Sequence, residues 1–410
     1  MSDRRTPAGS ATGAEDGLIS CLLIAAVAVT MLATELTVPS NPSLPAFFGT
    51  SDRAVQISMA LNLLGYAIAP PLLGPLSDRF GRRPVLLLAL LGFAAASLVA
   101  ALAPTVELFT LGRMAQGLTG ASAPVVGMAI VRDLHDEAKS VRVIALISMA
   151  IAVVPAAGPV FGGWIHNLAG WQANYALLSG AGLLVVLLLA AKLPETVPQR
   201  DPHALAFGQF ATRYRQLLCC RNYVGYALLP TLGFAGMTAF VTGGPFYIIG
   251  SAGVSEVGYG LIQAALVVCY IVGALGASLG IDRLGFDRVH LFGIFLFALG
   301  GLGELLLLTE PTPSVMLFCL PFGVFLIGLG VVFATAPARA LALYPAMTGS
   351  ASAMLTTLEM LGGAVAAITV SLLHDGTAAA TGAVIMVSAM TAVAVQVVVV
   401  PSGRAAGREA

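Results

Sequence analysis

Gly74-Pro75-Leu76-Ser77-Asp78-Arg79-Phe80-Gly81-Arg82-Arg83-Pro84 is the stretch whose reading decides the fold. It packs three arginines and an aspartate between two apolar runs, 54–75 and 84–103. Each run has the ~20 residues that a membrane-crossing helix needs. The Gly-Pro pair predicts a tight turn at the end of the first run. The arginines hold the loop in water, on the cytoplasmic side. Asp78 is suited to face a helix N-terminus or a neighbouring arginine. Further along, Asp282-Arg283-Leu284-Gly285 repeats the core of this loop 204 residues after Asp78-Arg79-Phe80-Gly81, again between two apolar runs. A repeat at half the chain length points to two parallel six-helix units, with a substrate site between them near the membrane midplane.

The composition agrees. Of 410 residues, 58% are hydrophobic and only 10% charged, where a soluble surface needs about 25% charged residues. That excludes an ordinary soluble protein, a disordered chain and a nucleic-acid binder. Apolar runs read as 17–36, 54–75, 84–103, 107–131, 141–165, 171–193, 223–249, 256–280, 289–309, 313–337, 349–373 and 377–400. They are too long and too unalternated for barrel strands, and the first is too long for a signal-peptide core. The expected fold is therefore all-α, with twelve transmembrane helices in two pseudo-symmetric six-helix bundles. The bundles span 17–193 and 223–400, with a cytoplasmic central loop at 194–222 and tails at 1–16 and 401–410. With both termini in the cytoplasm, 18 of the 20 Lys and Arg fall in inner segments, leaving Arg53 outside and Arg113 inside a helix. This asymmetry fixes the expected orientation. The cysteines, Cys21, Cys219, Cys220, Cys269 and Cys319, form neither a disulfide framework nor a zinc spacing.

The loop at Gly74–Pro84 resembles the loop 2–3 motif of the major facilitator superfamily. Arg113-Met-Ala-Gln116-Gly117-Leu-Thr-Gly120 resembles that family's fourth-helix motif, and Ala157-Gly158-Pro159-Val-Phe-Gly162-Gly163 its fifth-helix motif in drug/proton antiporters. Leu193-Pro194-Glu195-Thr196 and Gly243-Gly244-Pro245-Phe246 also fit drug exporters. The branch that the chain resembles is the Bcr/CflA-type, bicyclomycin- and chloramphenicol-resistance-like group. Two departures stand out: Glu35-Leu-Thr-Val-Pro39 replaces the usual aspartate of the first helix, and Glu359 stands where a Gln is common. The resemblance implies a bacterial inner-membrane antiporter and assigns conformational gating to Gly74, Asp78, Arg79, Gly81, Arg82, Arg132, Gly158, Pro159 and Gly162. Asp78 is expected to pair with an arginine such as Arg132, or to cap span 11 near Gly349.

Charges inside the membrane mark the candidate site. An unpaired Arg there costs ~2.5–3.5 kcal/mol. Arg113 shares its helical face with Gln116, Gly117 and Gly120, which predicts that this face lines the bundle interior. Glu35, placed near the outer end of span 1 at similar depth, is expected to pair with Arg113 in one state and to take a proton in another. Glu359 shares a face of span 11 with Ser352, Thr356 and Gly363. Glu35, Arg113 and Glu359 are thus the proton-coupling candidates. Asn62, Tyr66, Gln116, Gln263, Tyr270 and Thr356 are the expected substrate-cavity groups. Glu304 and Glu310 read as interfacial anchors, and His135, His203 and His290 fall in cytoplasmic segments.

These residues predict a proton-coupled secondary transporter exporting small, mostly apolar compounds by alternating access. Its partners are a drug-like substrate, protons and the lipid bilayer. The proton serves as coupling ion, with no cofactor or metal, no nucleic acid, and a monomeric state expected. The alternatives are a transporter of a specific metabolite, such as a sugar or amino-acid-like compound, and an uncoupled facilitator. A nucleotide-driven pump would need G-x-x-x-x-G-K-[ST], and the two lysines, Lys139 and Lys192, do not stand in it. A membrane enzyme is expected to lack support from any H-E-x-x-H, G-x-S-x-G or cysteine–histidine cluster.

Overall fold

The computed structural model describes residues 13–197, 200, 207–305, 307 and 313–400. His203, Glu310, Arg4, Arg5, Arg404 and Arg408 lie outside the described residues, as does most of both tails. Twelve helices are long and apolar enough to cross a membrane among the described residues. They are α1 (Gly13–Glu35), α2 (Asp52–Phe80), α3 (Arg82–Ala101), α4 (Val106–Leu134), α5 (Glu137–Ala169), α6 (Trp171–Lys192) and α7 (Arg221–Pro245). The remaining five are α8 (Glu256–Leu284), α9 (Phe286–Gly303), α10 (Val315–Ala342), α11 (Thr348–Leu373) and α12 (Ala379–Val398). A further helix, Phe207–Cys219, lies in the link between the halves and buries Leu217 against Tyr223, Ala340 and Ala351.

Three of the boundaries that differ from the sequence reading bear on the site. The first span does not end near Glu35: after a short turn, the 3-10 segment Val38–Ser43 and the helix Leu44–Phe48 carry it further. Pro39, Pro42 and Pro45 break the regular helix there, because each removes a backbone donor. Glu35 therefore lies well inside the span. The ninth span stops at Gly303 rather than 309.

The third difference is at the opening motif. Gly74 and Pro75 do not form the turn; α2 runs through Pro70, Pro71 and Pro75 to Phe80. Neighbouring helices and polar side chains make prolines tolerable in membrane helices. The turn falls on Gly81, at φ 108° and ψ 145°, and on Gly285 in the second copy, at φ 82° and ψ 154°. This region of backbone space is essentially restricted to glycine, so the glycine of each Asp-Arg-x-Gly repeat is the residue the turn requires. A Cβ at Gly81 would also fall onto the Glu195 carboxylate. Gly81→Ala should therefore destabilise the fold by ~1–3 kcal/mol, measurable as a lower melting temperature in detergent; an unchanged melting curve would refute this account of the turn.

The two halves share apolar cores at one end of the molecule, the closed end. At the arginine-poor end, Val38 and Met59 of the first half belong to one core with Phe240, Tyr247 and Tyr259 of the second. Phe246 of the second half joins Val55, Phe109 and Trp171 of the first. At the arginine-rich end the described cores are each confined to one half. One is built from residues such as Leu23, Leu90, Ile130 and Leu189, the other from Leu217, Tyr223, Ala340 and Leu355.

Candidate functional site

Helices α2 and α4 approach closely because glycines face backbone. A Cβ on Gly117 would fall onto the Asn62 carbonyl oxygen, and one on Gly65 onto that of Met114. Arg113 is only 3% exposed. Its Nη1 donates to the Ala33 carbonyl at 3.1 Å and to Gln116 Oε1 at 2.5 Å, and its guanidinium lies 5.7 Å from the Tyr175 ring centroid. Gln116 Nε2 donates to Ser97 Oγ at 2.8 Å, and Asn62 Nδ2 donates to the Arg113 carbonyl at 2.8 Å. Arg113, Gln116 and Asn62 thus form one buried network, with Tyr66 one turn further along α2.

Glu35 is not held by Arg113 in this conformation. Its Oε2 accepts a hydrogen bond from Gln263 Nε2 of the other half at 3.0 Å. Arg113 instead ties α4 to the carbonyl of Ala33, two residues before Glu35. Tyr259, one turn before Gln263 on α8, lies within electrostatic reach of Glu35. The Tyr259 hydroxyl and Gln263 Oε1 are buried with no hydrogen-bond partner among the described residues. The sequence reading missed Tyr259, although its i−4 spacing from Gln263 was a signal. In the second half, Glu359 lies within electrostatic reach of Tyr223 and Tyr270. Thr356 and Glu359 are half-buried on α11. The candidate residues therefore fall into two polar groups, one in each half, and the Glu35–Gln263 bond crosses between the halves.

The fifth-span glycines sit at the closed end. A Cβ on Gly158 would lie 2.8 Å from Glu35 Cβ, and one on Gly162 would fall onto the Leu36 carbonyl. Gly163 and Gly260 abut α8 and α5 respectively: their added Cβ atoms would lie 2.7 Å from Glu256 and from Val160. Asn174 Nδ2 fixes the same region by donating to Ser40 Oγ at 2.9 Å and to the Gly162 carbonyl at 3.1 Å. Pro159, in the same stretch of α5, faces Gly260 through its backbone.

At the arginine-rich end, Asp78 pairs with Arg82 at 3.1 Å, and Arg82 also binds Asp133 at the end of α4. Glu195 Oε1 accepts from the backbone N–H groups of Arg82, Thr196 and Val197. Arg83 donates to the Ala190 carbonyl at 2.7 Å. Arg79 is exposed beside Phe80, Arg132 is exposed, and Gly74 has open space around it. The N-cap residue of α11, Met347, makes no side-chain capping bond of its own. Asp133 and Glu195 were not singled out as ion-pair and capping partners because nothing in one sequence pairs residues so far apart. In the second half, Arg339 binds Asp287 at 2.9 Å and lies 4.2 Å from the Phe286 ring centroid.

Two sequence expectations are overturned. Glu304 does not reach an interface: it is 0% exposed, and neither carboxyl oxygen has a hydrogen-bond partner among the described residues. The early end of α9 turns it into the bundle. His290 is likewise buried, bonded to Thr335 Oγ1 at 2.8 Å and to Gln396 Oε1 at 2.9 Å. The expected absence of G-x-S-x-G is also corrected: Gly276-Ala277-Ser278-Leu279-Gly280 has that spacing, but it lies in the interior of α8 rather than on the strand-to-helix turn of serine hydrolases.

Residues 23–367 match the family model of the Major Facilitator Superfamily. The chain is 30% identical over 363 residues to the uncharacterized MFS-type transporter YdgK of Bacillus subtilis, covering 86% of this chain and 88% of that one. It is 30% identical over 330 residues to a chloramphenicol resistance protein of Pseudomonas aeruginosa, covering 79% and 76%. It is 33% identical over 261 residues to the multidrug transporter MdfA of Edwardsiella ictaluri, covering 62% of each. The partially occluded inward-open xylose transporter XylE of E. coli superposes with a TM-score of 0.71 at 15% identity, covering 96% of this chain and 99% of that one. That likeness concerns the fold alone. With twelve spans in two repeated halves and a family match over well more than half its length, the chain belongs to the Major Facilitator Superfamily and is a multi-pass membrane transporter.

Proposed function

We propose that the protein exports small, mostly apolar compounds across a bacterial inner membrane in exchange for protons, with its arginine-rich end in the cytoplasm. The observation that carries this reading is the Glu35–Gln263 bond across the two halves at the closed end. Ionised Glu35 is only an acceptor, so it can take one bond from the Gln263 amide and leaves Gln263 Oε1 unpartnered. Protonated Glu35 supplies an O–H donor for that oxygen. Satisfying a buried acceptor is worth about 1–3 kcal/mol, or about 5- to 150-fold in the balance between closed and open forms.

A proton taken from outside would then favour outer closure. Its release to the cytoplasm would free the pair for the next opening, with substrate bound between the halves in the interval. The few polar groups there, Asn62, Tyr66, Gln116, Tyr270, Thr356 and Glu359, suit ligands with little polarity. Glu359 gives the second half a carboxyl for cationic ligands or a second proton. The homology to drug-resistance transporters supports the substrate class.

The test is purified protein in liposomes with an imposed pH gradient, assayed against a panel of chloramphenicol-like and lipophilic cationic compounds. Uphill movement of a compound that stops when the gradient is collapsed is the expected result. Transport that only equilibrates concentrations, with or without the gradient, would make the protein a facilitator.

A further inference from the structure

His374 immediately follows α11 at the outer end, and its side chain is 9% exposed. Its Nε2 lies 3.3 Å from Oδ2 of Asp52, the first residue of α2. The pair therefore joins the two halves. One turn back on α11, Ser371 Oγ donates to the Arg53 backbone carbonyl at 3.0 Å, so the same two helix ends are bonded twice. Phe246 of α7's outer extension meets the imidazole edge-on, at 5.9 Å between centroids. Among the described residues, the charged groups that face His374 are Asp52 from α2 and Asp375 from its own loop. Hydrogen bonds from the Thr377 side chain and backbone hold the Asp375 carboxyl below the usual carboxylate range and keep it an anion. Arg53 reaches this contact through its carbonyl, and Phe246 is uncharged.

Histidine is the side chain that ordinarily changes charge between pH 5 and 8. We propose that His374 is a second proton-binding residue of the transport cycle, on the outer face, which when charged draws the outer ends of α2 and α11 together against Asp52. Neutral His374 has only a hydrogen bond to offer Asp52. Charged His374 has an ion pair, with Asp375 adding a second favourable charge. Acid on the outer side therefore favours outer closure. The proposal needs the alternation between outer-closed and outer-open forms that the proposed function also needs, but not proton transfer through Glu35.

The experiment uses the full chain in lipid nanodiscs, with Glu35→Gln present and the native cysteines replaced. Leu102 and Met316, exposed at the outer ends of the first and second halves, carry paired distance labels. The ratio of outer-closed to outer-open molecules should rise about threefold to fivefold between pH 8 and pH 5, the scale of a partly exposed ion pair. His374→Gln and Asp52→Asn should each flatten this response, and His374→Arg should stay closed at both pH values. The Arg variant retains the pair and so separates loss of the latch from loss of the fold. A pH response that survives unchanged in both His374→Gln and Asp52→Asn overturns the proposal. Because Glu35→Gln is present throughout, failure of proton coupling at Glu35 would appear only in the liposome assay and would leave this measurement intact.

Discussion

Glu35→Gln should abolish accumulation of substrate against its gradient while leaving exchange of labelled for unlabelled substrate measurable. Gln keeps the size of the side chain and can still bond to Gln263, so the cross-half contact at 3.0 Å has a replacement. What it lacks is a proton to gain and lose. One charge moving through the membrane potential is worth ~2.3 kcal/mol per 100 mV, and ~1.4 kcal/mol is a factor of ten. A coupled carrier with one proton per substrate can therefore sustain a gradient of roughly tens-fold from the potential alone, which the variant should reduce to equal concentrations on both sides. Exchange survives because it requires binding and rocking without net proton movement. If Glu35→Gln accumulates substrate normally and Glu359→Gln does not, the coupling carboxyl is Glu359. If both variants behave as the wild type, neither acid couples.

The second large effect is expected at Gly260. An added Cβ there would lie 2.7 Å from the backbone nitrogen and Cα of Val160 and 2.8 Å from the Pro159 carbonyl carbon. Those atoms belong to α5 of the first half and cannot turn aside as a side chain can. Gly260→Val should therefore hold the outer ends of α5 and α8 apart. Overpacking costs ~1–3 kcal/mol, which moves the closed-to-open ratio by about 5- to 150-fold toward the outer-open form. Labelling of an outer-cavity cysteine by an impermeant reagent should accelerate accordingly. Gly276→Val, on the same helix with nothing within 4 Å, is the control and should label as the wild type does. Equal labelling in both variants would mean that the α5–α8 contact does not govern closure.

The twelve spans were legible because apolar runs and arginine placement are local properties of a sequence. The duplicated Asp-Arg-x-Gly loop was legible for the same reason, though its turn was not. Gly74-Pro75 looked like the break, yet the backbone runs on to Gly81, the residue that accepts a positive φ. Arg113, Gln116 and Asn62 were predicted as inward-facing and form one network. The partner of Glu35 was missed, because matching depths in one half made Arg113 the obvious choice. Gln263 lies 228 residues away on a helix of the other half. Glu304 was misread for a related reason: its position relative to water depends on where α9 stops, and the leucines that follow it disguised the helix end.

Each arginine-rich loop is tied to a neighbouring helix by one ion pair, but not at equivalent positions: counted from the glycine of each repeat, Arg82 corresponds to Phe286 and Asp287 to Arg83. In the first half the cation, Arg82, opens α3 and the anion, Asp133, ends α4; in the second the anion, Asp287, opens α9 and the cation, Arg339, ends α10. The first pair is 16% and 17% exposed, the second 41% and 67%, so the first is the more protected from solvent screening. The two halves thus repeat the turn but not the tie that fastens it, and the tie of the first half is the one that surrounding water weakens least.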